Sequence, residues 1–469
     1  MLNYFPKYFT SRAMNLYFVA IVVANIYFIS RPLPFMFWIF GIVEVVGFFY
    51  YANLVTKSSN LMSENRFIKM IFWNAFFIRL AWVVFSYVFY SFMTGQPFEF
   101  RAADAMGYHG EAQWLSVLIK NNQIQTYFEY IRGRYSDMGY TLYLGSQYWI
   151  TGSSILIARI LKAVYGGFTC VLVYKLAQRN FGDNVARMSA VFCMLMPNLI
   201  YYTGIHTKEV EMLLLTTMFV ERGDQLLREK SLNIVSILLL LFLGGSLFFF
   251  RTVLGITAFF AILSAIILSK ERVSKMGNRI ILSLWIFLAA AFFAGGSIST
   301  EVEKVWVART TNQELSIKFR TERTNGNVLA KYASGAVFVP FIIVIPFPTV
   351  IGIPYQENQQ LLNGGNYVKN ILSFFVVISF FWIFRTKQWR SHVLIGSFTI
   401  GYLVIIALSA FAQSERFHQP ALPFMMIFAA LGLSKITNSQ KKYFDWYMIF
   451  IFVAIFGWSW YKLAGRGLA

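Results

Sequence analysis

Charge is scarce in this sequence, and negative charge is the scarcer kind. Only 13% of the 469 residues are charged and 57% are hydrophobic. Soluble globular chains carry about 25% charged residues, so that class is excluded. The two cysteines, Cys170 and Cys193, are too few for a disulfide framework and lack metal-type spacing. Both fall inside apolar runs, where they read as packing residues. No phosphate-binding loop of the form G-x-x-x-x-G-K-[ST] occurs, which argues against nucleotide-driven transport by this chain. There is no internal repeat and no low-complexity tract. The first apolar run lacks a small-residue cleavage pattern: it ends in Arg31-Pro32-Leu33-Pro34 and a second run follows at once. It is expected to be a retained first helix.

What fills the chain instead is a series of apolar runs of roughly 18 to 22 residues, the length that crosses a bilayer as a helix. The expected fold class is an all-α polytopic membrane protein of about 11–13 transmembrane helices, forming a single membrane domain. Spans are expected at 14–30, 35–55, 70–94, 157–178, 185–203, 209–222, 232–250, 252–269, 279–297, 368–385, 391–411, 419–434 and 444–461. The net charge of +20 does not indicate nucleic acid, because the basic residues are dispersed through short loops. Anionic membrane lipid and a phosphate-bearing substrate suit that distribution better. Lys57, Arg66 and Lys69, then Lys175, Arg179 and Arg187, then Arg222, Arg228 and Lys230 mark the short loops. Further clusters follow at Lys270–Arg279, Arg385–Arg390 and Lys435–Lys442. They share one side if the N-terminus is cytoplasmic, and the 96–152 loop, the 206–209 turn, the 298–333 loop and the 414–420 turn then face the exterior. Two segments do not fit as spans. Residues 140–151 are too few, and 337–354 contains Pro340, Pro346, Pro348 and Pro354, so both are expected as re-entrant or half-buried pieces. The polar piece 356–366 has no Lys or Arg and is expected on the external side.

The 96–152 loop is the first long polar interruption, and it holds two isolated acids that are each followed by Gly-Tyr: Asp104 before Gly107-Tyr108-His109, and Asp137 before Gly139-Tyr140. Other external turns add Lys208 and Glu209 after His206, Arg251 inside an apolar run, and Glu415, Arg416 and His418 before Pro420. Charge near hydrocarbon costs about 2.5–3.5 kcal/mol on insertion scales, so such residues usually face a cavity, a partner or a substrate. Each has a plainer explanation. Asp104 can cap a helix starting near Ala105, and Asp137 can be a turn residue. Lys208 and Glu209 can be an interfacial pair, Arg251 can snorkel to headgroups, and His109 and His418 can be structural. Four separate turns bringing charge to one face favour chemistry. A carboxylate would deprotonate an acceptor hydroxyl while arginine and lysine hold a leaving phosphate.

The order of these motifs resembles the GT-C superfamily of membrane glycosyltransferases, in particular bacterial members similar to protein mannosyltransferases and lipid A aminoarabinose transferases. The matching residues are Asp104 with Tyr108, then Asp137-Met138-Gly139-Tyr140-Thr141-Leu142-Tyr143-Leu144, then Ala158-Arg159-Ile160-Leu161 running to Val173-Tyr174-Lys175-Leu176-Ala177. Pro197 through Lys208-Glu209 and Arg416-Phe417-His418-Gln419-Pro420-Ala421-Leu422-Pro423 complete the series, over roughly residues 98–433. The chain departs from the pattern in having three spans before the acidic loop and a lone Asp104 followed by Ala105 instead of paired acids. No large soluble C-terminal domain of the kind seen in those relatives is expected.

The resemblance implies an inverting transfer of sugar from a polyprenyl phosphate, undecaprenyl phosphate in a bacterium, to a glycan, lipid or protein acceptor at the outer face of the cytoplasmic membrane. It implies Asp104 as general base and Asp137 as a residue positioning acceptor or sugar. Tyr108, His109, Tyr140, Lys208, Glu209, Arg251, Arg320 and Arg416 are the binding candidates, with Arg309, Lys318 and Arg323 beside Arg320. No particular cofactor is implied; a divalent metal stays open as an expectation, without the support of a paired-acid motif. Two other functions suit part of the pattern. An O-antigen polymerase or ligase would use a diphosphate-linked oligosaccharide and centre on the 298–333 arginines. A flippase or transporter would use the charges as a pathway, but no repeated half with matching broken spans is present.

Overall fold

Prolines set where the first two helices begin. Helix α1 (Lys7–Tyr27) follows Pro6, and α2 (Phe35–Ser58) follows Pro34, each proline holding the extended backbone that precedes a helix. The computed structural model describes residues 2–132, 135–228, 233–269, 335–408, 411–464 and 466. The described residues form an all-helical chain with no strand. The expected span 279–297, the 298–333 loop with Arg309, Lys318, Arg320 and Arg323, and the cluster from Lys270 to Arg279 lie outside them.

Helix α3 (Glu64–Thr94) shows how these helices meet both protein and lipid. Phe67, Ile71, Ala75, Arg79, Val83, Ser86 and Tyr90 recur every three or four residues and form its buried stripe. Trp73, Phe77, Val88 and Phe92 are exposed on its other faces. An apolar surface turned away from the core is what a hydrocarbon solvent requires. Arg79 is the exception inside the stripe. Its guanidinium donates to Cys193 O at 3.1 Å and Met194 O at 3.2 Å, at the end of α8 (Asp183–Leu195). Pro197 has no N–H to donate to Cys193 O, so Arg79 satisfies the carbonyl that the proline leaves open. The expected straight span 185–203 is therefore a bent one: α8 and α9 (Pro197–Tyr201), with the turn that follows, meet at 51°.

After α3 come α4 (Ala103–Lys120), α5 (Ile124–Tyr130) and α6 (Met138–Thr151), then α7 (Ile155–Phe181) and α10 (Glu209–Arg228). Helix α6 has 14 residues, about 21 Å at 1.5 Å per residue, and does not cross about 30 Å of hydrocarbon. It packs on α4 at one end of the bundle. Helices α11 (Ile234–Phe250) and α12 (Thr252–Leu268) are separated by the single extended residue Arg251, φ −164°. The last long elements are α13 (Asn363–Arg385), α14 (Val393–Ala407), α15 (Leu422–Lys435) and α16 (Asn438–Ala464). Among the described residues, seven helices are long and apolar enough to cross a membrane, or eight when the bent pair counts as one span. Helices α11, α12 and α14 are apolar but shorter.

The segment 342–354 is irregular, and Val344 through Ile351 are buried. The polar piece after it is largely helical. It forms a short helix, Glu357–Gln360, and the first turn of α13. Amides of this piece and of the following turns of α13 supply the hydrogen bonds that the irregular backbone lacks. Asn363 exchanges bonds with Thr349 N and O at 2.8 and 2.7 Å, Gln360 donates to Ile351 O at 3.1 Å, and Asn370 donates to Pro346 O at 3.0 Å.

The loop cations and acids gather at two ends of this bundle. At one end Arg179 pairs with Glu221 and Asp224, Arg228 joins Asp224, and Arg187 pairs with Asp183 and reaches Ser59 O. The other end receives the C-terminus of α3, α4–α6, the start of α10, the α11–α12 break and the turn before α15.

Candidate functional site

Two buried basic residues of α7 build the floor of this second end. Arg159 and Lys162 stand one turn apart on the inner face of an otherwise apolar span. The Arg159 guanidinium donates to Pro97 O at 2.5 Å, and Lys162 donates to Ile205 O at 3.1 Å and to Thr207 O. Glu211 lies 3.6 Å from the Lys162 ammonium. These bonds fix the start of the 96–152 loop and the turn that delivers Lys208 and Glu209.

On that floor the expected residues from distant turns meet. Arg416 joins Asp104 at 2.5 Å and also the Glu209 carboxylate. Arg251 lies 3.7 Å from Glu209 and stacks over Phe417 with its guanidinium carbon 4.5 Å from the ring centre. Lys208 pairs with Asp137 and donates to Phe250 O at 2.8 Å. Gly139 makes this second pair possible, since a Cβ there would lie 2.7 Å from the Phe250 ring and 3.1 Å from the Phe249 backbone. Three acids and three bases balance, so the network carries no formal net charge. Its exposure rises from 1% at Glu209 through 22% at Arg416 to 61% at Asp104. The network thus runs from the interior to a cavity wall.

Asp104 does not cap α4. Ala102 is the N-cap, and Asp104 stands in the first helical turn, where a carboxylate is favoured by the helix dipole but remains free to face outward. Asp137 does occupy a turn, with φ 76°, ahead of α6, and its side chain makes no cap. Arg251 does not snorkel to lipid; it points inward to Glu209 and to the Tyr402 hydroxyl, 3.5 Å away.

Two cavities share the Asp104 wall. An open one, about 690 Å³, is lined by Asp104, Tyr108, Glu111, Trp114, Tyr130 and Asp137. A deeper one, about 350 Å³, lies on the other side between the 99–104 turn, Tyr201–Tyr202, the 355–359 segment and the 414–416 turn. Ala103 and Asp104 line both. Tyr108 leans edge-on against Tyr140, whose ring is 5.0 Å away and fully buried. Burial pushes the Tyr108 hydroxyl up to about 12, so it stays protonated at neutral pH.

Other expected residues sit apart from the cavities. His109 hydrogen-bonds the Tyr148 hydroxyl at 2.7 Å, and that hydroxyl reaches His206 Nε2 at 3.0 Å. Burial lowers His109, and burial with Lys162 and Arg159 nearby lowers His206 further, so both rings are neutral links in a packed chain. His418 bonds Lys369 Nζ at 2.9 Å and Ala412 O at 2.9 Å, a structural knot under the 411–418 turn. Burial and the neighbouring Arg251 guanidinium draw the Lys208 ammonium well below its usual range. Among the described residues, no three His, Cys, Asp or Glu side chains are placed to hold a metal ion.

Sequence reasoning missed several residues here. Glu99 is buried in the deep cavity wall, and burial raises its carboxyl above the usual range. Arg101 lies over the Tyr355 ring at 3.8 Å, and both residues hold left-handed backbone, φ 55° and 68°. Such strain in residues with side chains gathers at ligand clamps and active sites. Glu99 and Arg101 sit five and three residues before Asp104, within the loop already singled out. Lys162 inside an apolar span was the clearest unused signal.

Comparisons with protein-family models, with curated proteins and with solved structures give no match.

Proposed function

We propose that this protein is a glycosyltransferase that moves a sugar from a polyprenyl-phosphate donor to a hydroxyl-bearing envelope glycan, lipid or protein. The observation that carries the reading is that one carboxylate, Asp104, forms part of the wall of two cavities, so a single base can face donor on one side and acceptor on the other. In the transfer, the acceptor oxygen attacks the anomeric carbon from the open cavity and its proton passes to the Asp104 carboxylate. The bond from the anomeric carbon to the phosphate oxygen breaks, and its electron pair leaves with the polyprenyl phosphate. One displacement inverts the anomeric centre. Arg416 holds Asp104 in place and lies where charge develops on the leaving phosphate.

The remaining cations serve differently from the sequence expectation. Lys208 is engaged by Asp137 and Arg251 by Glu209, so in this reading they position Arg416 and the α6 turn instead of binding phosphate themselves. Arg101, exposed at the mouth of the deep cavity, takes that part. In this reading the described basic residues Arg179, Arg187 and Arg228, at the opposite end of the bundle, are cytoplasmic by the positive-inside tendency, and Asp104 faces the exterior of a bacterial cytoplasmic membrane.

The test is transfer by the purified full-length protein in nanodiscs, using radiolabelled polyprenyl-monophosphate sugars and an envelope acceptor extract. Wild type transfers label and Asp104→Asn does not, while both bind donor. Label transferred only from a diphosphate-linked oligosaccharide would replace this reading with a polymerase or ligase.

A further inference from the structure

The deep cavity contains more hydrogen-bonding oxygen than the protein satisfies. Glu99 is 8% exposed, and its Oε2 has no hydrogen-bond partner. Across the cavity Gln356 Oε1 and Asn358 Oδ1 are likewise buried without a donor. The Asn358 amide nitrogen is already used, donating to Phe100 O at 2.7 Å, which fixes its oxygen. Burying an acceptor without a donor is costly, so three around one space mark a place where donors arrive from outside the chain. At about 350 Å³ the space is at the small end of ligand pockets and suits one ring, not a chain of them.

The charges restrict what that ring can be. Among the described lining residues the cations are Arg101 and Arg416, and Glu99, Asp104, Glu357 and Glu415 are the acids. Arg101 is exposed over Tyr355, and Arg416 stands beside Asp104. A group buried past them meets carboxyl and amide oxygens.

We infer that the deep cavity selects the sugar of the donor: an uncharged polyhydroxy ring whose hydroxyls donate to Glu99, Gln356 and Asn358, with its phosphate at the mouth against Arg101 and Arg416. This rests on the glycosyltransferase reading and narrows it, since a sugar carrying a carboxylate would be placed against Glu99 and Glu415 and is rejected. Glu99, Gln356 and Asn358 are specificity-determining residues, distinct from the reacting carboxylate.

The experiment is a binding titration with the full-length protein in nanodiscs, read by tryptophan fluorescence. Three short-chain probes are compared: polyprenyl phosphate without sugar, polyprenyl-phosphate glucose and polyprenyl-phosphate glucuronate. The glucose lipid binds about tenfold tighter than the bare lipid phosphate, and the glucuronate lipid no tighter than the bare one. Gln356→Ala and, separately, Glu99→Leu abolish the tenfold gain and leave binding of the bare lipid phosphate unchanged, which also reports that each variant is folded. Equal affinity for bare and glucose lipids, or preference for glucuronate, overturns the inference and leaves the donor class intact. Failure of all three monophosphate lipids to bind wild type overturns the glycosyltransferase reading itself, and the inference with it.

Discussion

The two ends of the bundle use the same side chains for different ends. At one, Arg179, Glu221, Asp224 and Arg228 form a network around the fully buried Asp224 carboxylate. At the other, Glu209 is as deeply buried, but its partner Arg416 continues outward to an exposed Asp104 on the wall shared by two cavities. A buried ion pair is weak evidence of function, because such networks also serve structure alone. What separates the two is the neighbourhood. The second borders two cavities, with the acceptor oxygens of Glu99, Gln356 and Asn358 and left-handed backbone at Arg101 and Tyr355 beside them.

The sharpest way to break that contrast is to remove one carboxylate from each end. Asp104→Asn is expected to lower the transfer rate by about 10²–10⁴-fold with little change in melting temperature, since its side chain is mostly exposed. Asp224→Asn is expected to do the reverse: a lower melting temperature in detergent, with the rate per folded molecule unchanged. Equal loss of rate from both would erase the distinction.

Arg416 joins both properties and is expected to show a mixed effect. Arg416→Ala leaves the buried Glu209 with the more distant Arg251 as its paired cation, a loss of about 3–5 kcal/mol, and releases Asp104. Arg416→Lys keeps the charge without the two-sided fork, so melting temperature recovers more than transfer does. Thermal melts and initial rates on the same preparations separate the two.

The smallest effect concerns His206, which is buried neutral. Its folded pKa lies well below 6.5, so the unfolded chain binds the proton more readily. Its contribution is therefore present above the unfolded value and is lost as pH falls below about 6.5 toward the folded value. Melting temperature is expected to drop across that window, and His206→Gln to flatten the drop. A melting curve equally steep in the variant would move the acid sensitivity elsewhere.

Much of this was legible in the residues. The apolar runs located the long described helices, with ends differing by up to seven residues as at Lys7 against 14, and the structure brings the charges at Asp104, Asp137, Lys208, Glu209, Arg251 and Arg416 together. Their pairing was not legible, because periodicity within one helix says nothing of which distant turn supplies the partner. The break at Met196-Pro197 was missed because Arg79, 118 residues before the proline, takes up the carbonyl it leaves open. The structural part of the polar 356–366 piece was not legible, because Gln360 and Asn363 satisfy backbone 9 and 14 residues away in sequence, a role that composition does not reveal. Glu99, Gln356 and Asn358 were invisible for the same reason: each is an ordinary polar residue until the cavity between them is seen.

The most direct test of the shared-wall account is a cryo-EM structure of the full-length protein in nanodiscs with a polyprenyl-phosphate hexose bound. The account predicts the sugar between Glu99 and Gln356, the phosphate against Arg101 and Arg416, and the anomeric carbon turned toward Asp104. A donor phosphate seated on Lys208 and Arg251 instead, with the deep cavity empty of sugar, would contradict it.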